Sequence, residues 1–125
     1  MSTTIDGSAG ITTNAGGSVN PSTNVEGINY SCRAWVNFNG TGTVAIRGSG
    51  NVTSITDNGV GSYTVNFTTA MSDANYVTVA TSGGSASRPT VTAGPYTTNA
   101  AAVNCSDSNT GVFYDQTYFN VAIFR

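Results

Sequence analysis

The chain has 125 residues and a net charge of −2, from four arginines and six acids, with no lysine and no histidine. That length suits one domain with a real core, and the missing basic footprint argues against a nucleic-acid partner or an anionic membrane surface. Gly, Ser, Thr and Asn make up about half of the residues, far above ordinary usage, yet valines and aromatics are frequent enough to rule out a disordered chain. Thr and Val favour pleated surfaces and Gly and Asn favour turns, so the composition predicts an all-β protein.

Residues 1–26, MSTTIDGSAGITTNAGGSVNPSTNVE, are small and polar without a sustained period. They read as an extended N-terminal arm, either a disordered tail or a segment that orders against a neighbouring chain. The arm has neither the basic nor the apolar region of a signal peptide, and no stretch of the chain nears the roughly 20 apolar residues of a membrane span. The protein is therefore expected to be made in the cytoplasm without passing through an export route. Its sequons at Asn29, Asn39, Asn51, Asn66 and Asn104 should carry no glycan. Cys32 and Cys105 are expected to be buried free thiols rather than a disulfide.

A β pattern begins at Gly27 and defines a domain over 27–125. Ile28, Tyr30, Cys32, Ala34, Val36 and Phe38 keep one frame, which predicts a long first strand. Asn39-Gly40-Thr41-Gly42 breaks it as a hairpin loop would. Thr43 to Arg47 resumes, with Val44 and Ile46 inward. In NVTSITD, Val52 and Ile55 are out of phase, so a bulge or an edge strand is expected. Asp57-Asn58-Gly59 is a turn signal. SYTVNFT then points Tyr63, Val65 and Phe67 to one face. TAMSDAN is a connection, and Tyr76 to Thr81 is a strand with Val77 and Val79 inward. Residues 82–98 form the longest irregular stretch, with a short edge strand at Thr90 to Thr92. Ala100 to Ser106 is a strand, 107–111 a loop, and TYFNVAIFR a closing strand held inside a sheet. Seven or eight short strands with frequent turns predict an antiparallel β-sandwich.

Several chemistries lack their parts. Without histidine there is no Ser-His-Asp or Cys-His nucleophile, and without lysine no Schiff base. There is no phosphate-binding loop and no Cys-x-x-Cys zinc pattern. The acids, Asp6, Glu26, Asp57, Asp73, Asp107 and Asp115, fall in the arm, turns and loops, where Asp usually serves backbone hydrogen bonds. Asp107-x-Asn109-x-Gly111 echoes a calcium loop without its downstream carboxylate and reads as a turn. No enzyme activity, cofactor or metal is expected.

The aromatic residues divide by face. Phe38, Tyr63, Phe67 and Phe119 fall on inward faces and read as core. Trp35, Tyr76, Tyr118 and Phe124 fall on the opposite face and are candidates for an oligomer interface, because a second apolar face is commonly covered by another subunit. For Trp35, which shares its side of the strand with Arg33 and Asn37, core packing after a frame slip and a platform for a sugar remain the alternatives. In the loops, Arg88, Tyr96, Tyr114 and Asp115 are the candidates for glycan binding.

CRAWVNFNGTGTVAIRGSGNVTSITDNGVGSYTVNFTTAMSDANYVTVA, Cys32 to Ala80, with the closing FNVAIFR, resembles a recurrent module of tailed-phage virion proteins, especially those of phages of marine cyanobacteria. The WVNFNGTGTVAIR and SITDNG…YTVNF motifs carry the likeness, which covers about two thirds of the chain, and IDGSAGITTN is similar to the lead-in of longer phage proteins. YTVNFTTAMSDANYVTVA is more weakly similar to H-type lectin and fibre-tip sandwiches. The resemblance implies a virion fibre protein that trimerises, attaches to other virion proteins through its arm and meets host-surface glycan by its loops. A capsid or neck decoration protein without a receptor is the alternative.

Overall fold

A computed structural model describes residues 31–84 and 88–125; the arm and the start of the first predicted strand, with Ile28 and Tyr30, lie outside them. The described residues form eight strands: β1 (Cys32–Asn39), β2 (Ala45–Gly50), β3 (Val52–Gly59), β4 (Ser62–Phe67), β5 (Val77–Gly83), β6 (Pro89–Tyr96), β7 (Ala100–Asp107) and β8 (Tyr118–Phe124). They make two four-stranded sheets with the orders β2-β1-β8-β5 and β3-β4-β7-β6, and every pairing is antiparallel. The predicted all-β sandwich is therefore what the chain forms. No helix of the described residues is long and apolar enough to cross a membrane.

The core lies between the sheets and follows strand alternation. Ala34, Val36 and Phe38 of β1 and Phe119, Val121 and Ile123 of β8 meet Tyr63, Val65 and Phe67 of β4 and Ala101, Val103 and Cys105 of β7. Phe38 and Phe119 stack at 5.0 Å, and Tyr63 approaches both edge-on at 5.2 and 5.0 Å across the sheet gap. Such aromatic contacts add roughly 0.5–1.5 kcal/mol each beyond area burial. The Tyr63 hydroxyl donates to Asp115 Oδ1 at 2.5 Å and Gly40 O at 2.9 Å. Burial, then the Asp115 carboxylate, push its ionisation far above the usual phenol range.

Asn51 turns the chain from the first sheet into the second. Its backbone is left-handed, with φ 55°, a conformation asparagine tolerates. Its amide donates to Arg33 O at 3.0 Å and Thr69 O at 3.1 Å, and its Oδ1 accepts from Thr69 N at 2.7 Å. One side chain thus ties β1 to the segment leaving β4.

Several expectations are corrected by register. Cys32 is exposed, because the β1–β8 pairing shifts between Cys32 and Ala34. Ile46 pairs with the buried Phe38 and so keeps the predicted inward phase, but it stands on the edge strand β2 and remains 37% exposed at the rim of the core; the bulge that places Asn37 opposite Gly48 leaves Arg47 over. The turn after β3 falls at Val60-Gly61, immediately after the Asp57-Asn58-Gly59 signal, which is absorbed in a second register shift. The predicted irregularity near Val52 is present: the register shifts between Val52 and Ser54, and β3 is an edge strand.

The largest correction concerns β5. Val77 and Val79 face solvent, 62% and 52% exposed. Tyr76, expected on the outer face, is buried; its ring packs against Phe67 and Tyr96, and its hydroxyl donates to Thr97 O and Ala100 O. This anchor sets the phase of the strand, since alternation then sends 78 and 80 inward and 77, 79 and 81 outward. The stretch read as irregular over 82–98 contains the eight-residue β6, paired along β7.

Candidate functional site on the outer face of the first sheet

The two outer faces of the sandwich differ in chemistry. On the second sheet, Asn66 donates to Ser54 and Thr56, Asn58 to Thr64, and Thr53 meets Thr68. That face is mainly a lattice of hydroxyls and amides suited to water, with the exposed Phe113 at its edge beside Ser106. The first sheet instead exposes Trp35, Val77, Val79, Tyr118 and Phe124.

Register places these side chains in rows. Phe124 is opposite Val77. The next outward row runs Gly50, Trp35, Ala122, Val79, and the one after it Gly48, Asn37, Asn120, Thr81. Trp35 leans over the glycines of the edge strand: a Cβ on Gly50 would lie 2.9 Å from indole Cδ1, and one on Gly48 would lie 3.5 Å from Cη2. An aromatic laid over strand glycines shields backbone that has no side chain of its own. Trp35 remains 47% exposed, so the ring is seated on the sheet and also open to solvent.

Ala122 is the short residue between Trp35 and Val79, and the dip above it becomes a groove of about 310 Å³, lined by Trp35, Asn37, Val79, Thr81, Asn120 and Ala122 with the backbone between them. Asn37 donates to Asn120 Oδ1, and Asn120 donates to Thr81 Oγ1 at 3.3 Å. This amide–amide–hydroxyl ladder crosses three strands beside the indole. Each amide keeps further hydrogen-bonding capacity after these bonds. Beyond the ladder, the Arg47 guanidinium lies 4.5 Å over the Tyr118 ring, a cation–π contact that the β2 bulge makes available.

The four loop candidates are not brought together as one surface. Arg88 and Tyr96 flank and close β6, at its opposite ends. Tyr96 packs on Tyr76. Asp115 accepts from Gly61 N at 2.8 Å and from Tyr63, so its carboxylate braces the β3–β4 turn. Tyr114 is half-buried, its backbone N donating to Cys105 O at 3.2 Å, and burial raises the ionisation of its phenol. Arg88 is exposed, and its carbonyl accepts from Ser108 N. Asp107 behaves as a turn residue: its Oδ1 accepts from Asn109 N and Thr110 N at 2.8 and 2.9 Å, and these bonds hold its carboxyl below the usual carboxylate range. Among the described residues, no group of three or more acids, cysteines or histidines converges as a metal site.

Of the interface candidates, Trp35, Tyr118 and Phe124 share the outer face of the first sheet, and Tyr76 belongs to the core. Val79 was expected in the core, and Asn37, Asn120, Thr81 and Ala122 were not singled out from the sequence. Only the shared parity of Trp35 and Asn37 hinted at them. The geometry defines a β-sandwich with one mainly polar outer face and one that exposes large apolar side chains. Comparison with family models, curated proteins and solved structures finds no match to this chain.

Proposed function

We propose that the chain is a non-enzymatic structural module of a phage virion fibre, homotrimeric, working by surface contact at the outer face of its first sheet. The observation that carries this reading is the contrast between the faces. A sandwich that met only water would have no use for five exposed large apolar side chains on one face while the other is mainly hydroxyl and amide, with Phe113 alone at its edge. The likeness of Cys32–Ala80 to fibre-closing phage modules supports the virion as its location, with the arm as the attachment to other virion proteins. A chain without histidine or lysine suits contact better than catalysis.

We place the contact between copies on the row of Phe124 and Val77, at one end of the face. Light scattering on the purified chain tests this. A trimer is expected for the wild type, and a lower mass for Val77→Ser/Phe124→Ser. A wild type that stays monomeric at micromolar concentration would refute it. The alternative, a capsid or neck decoration without a receptor, is favoured by the bracing role of Asp115 and the half-burial of Tyr114. Immunogold labelling of virions separates a fibre from a capsid location.

A further inference from the structure

We infer that the groove between Trp35 and Val79 binds neutral carbohydrate. This rests on the reading of the outer face as a contact surface, and it names the ligand of the central groove.

The first argument is the seating of Trp35. The ring is held from beneath by Gly48 and Gly50, and its outer side is open. A flat π-face fixed in position gives an apolar surface for the C–H face of a pyranose at little cost in side-chain ordering. A tryptophan serving only as shield for the edge strand would need no hollow beside it. Here the short side chain of Ala122 leaves one, walled on the far side by Val79.

The second argument is the ladder. Asn37, Asn120 and Thr81 run along one side of the groove, joined to each other. Neutral amides and a hydroxyl both donate and accept, which is what sugar hydroxyls require. Their mutual bonds hold the side chains in place before a ligand arrives. Sites for small ligands are mostly apolar with a few placed polar groups, and roughly 300 Å³ is at the lower end of their size.

The third argument is charge. No ionisable side chain among the described residues lines the groove. A carboxylate or sulfate there would find no counter-charge among the lining residues, and the Arg47 guanidinium beyond the ladder is already engaged over the Tyr118 ring. The complementary ligand is an uncharged glycan rather than an acidic one.

Trp35 is the only tryptophan, so its emission reports on the groove directly. The test titrates the full chain with cellohexaose, maltohexaose and chitohexaose, with oligogalacturonate as the acidic control, and follows fluorescence and native mass on the same samples. At least one neutral oligomer is expected to shift the emission, with little dependence on salt. Ala122→Leu fills the floor while keeping the indole and should weaken binding about tenfold or more. Asn120→Ala, on the exposed surface, should weaken it several-fold, and Trp35→Tyr should keep part of it. Native mass should not change in these variants. No response to any neutral probe, undiminished binding by Ala122→Leu and Asn120→Ala, or preference for oligogalacturonate would overturn the inference. If sugar fails to bind and Ala122→Leu lowers the native mass, the face is a contact surface whose occupant is a second copy. If neither binding nor mass responds, the contact reading of the groove fails as well.

Discussion

Trp35 lies across Gly50, close enough that a Cβ on that glycine would stand 2.9 Å from indole Cδ1. The glycine-rich run Gly48-Ser49-Gly50, which reads in the sequence as a break, is half of a paired unit. Removing side chains from the edge strand makes room for the ring, and the ring covers the bare strand.

Gly50→Ala should therefore dislodge the indole. Overpacking of this kind costs about 1–3 kcal/mol. The expected result is a lower melting temperature together with a changed tryptophan emission. Ser49→Ala is the control, because Ser49 is exposed.

Asn51→Ala should be among the more damaging substitutions of a polar residue. It removes the bonds to Arg33 and Thr69 and places alanine at φ 55°. A loss of about 2–3 kcal/mol is expected by urea denaturation. Asn51→Gly should recover part of it, since glycine accepts the backbone. Equal losses would show that the side-chain bonds, not the conformation, dominate.

Tyr63→Phe leaves Asp115 and Gly40 without their phenolic donor, at an expected cost of about 1–3 kcal/mol. It also bears on alkaline stability. The Tyr63 pKa is raised in the fold from 10.0, so its contribution is complete below that value. Above it the unfolded chain ionises first, and stability falls as pH rises. Tyr76 is shifted the same way by burial. Tyr63→Phe should make the decline above about pH 10 shallower, read by circular dichroism melts from pH 8 to 11.

Asp107 acts at the other end of the scale. Its folded pKa is depressed by the amides of Asn109 and Thr110, so its stabilisation is present above the ordinary Asp range and lost as pH falls through the folded value. Asp107→Asn should flatten the acid side of the stability profile below about pH 4. The effect should be small, because the group is exposed to solvent screening.

How far the sequence is legible depends on where phase is set locally. In β4 the alternation Tyr63, Val65, Phe67 is uninterrupted, and the predicted faces are the observed ones. The same holds for Ala34, Val36 and Phe38. In β5, Val77 and Val79 read as core because valine usually is. The phase there is decided by Tyr76, whose partners Thr97 and Ala100 arrive from more than 20 residues away. The β2 bulge and the Cys32 shift have the same character: the extra residue has no mark in the local pattern, and only the partner strand reveals it.

The candidate site divides along the same line. Composition and alternation alone determined an all-β sandwich, its core aromatics, and the exclusion of histidine- and lysine-based chemistry. They also placed Trp35 and Asn37 on the outer side of one strand. Only the tertiary structure decided that β8 lies between β1 and β5, which sets Ala122 and Asn120 beside Trp35 and Asn37, with Val79 and Thr81 beyond them. Strand order and register are long-range quantities. A period of two tells which side of a strand a residue faces, but not which neighbours it meets there: Asn120 comes from 83 residues beyond Asn37 and 39 beyond Thr81.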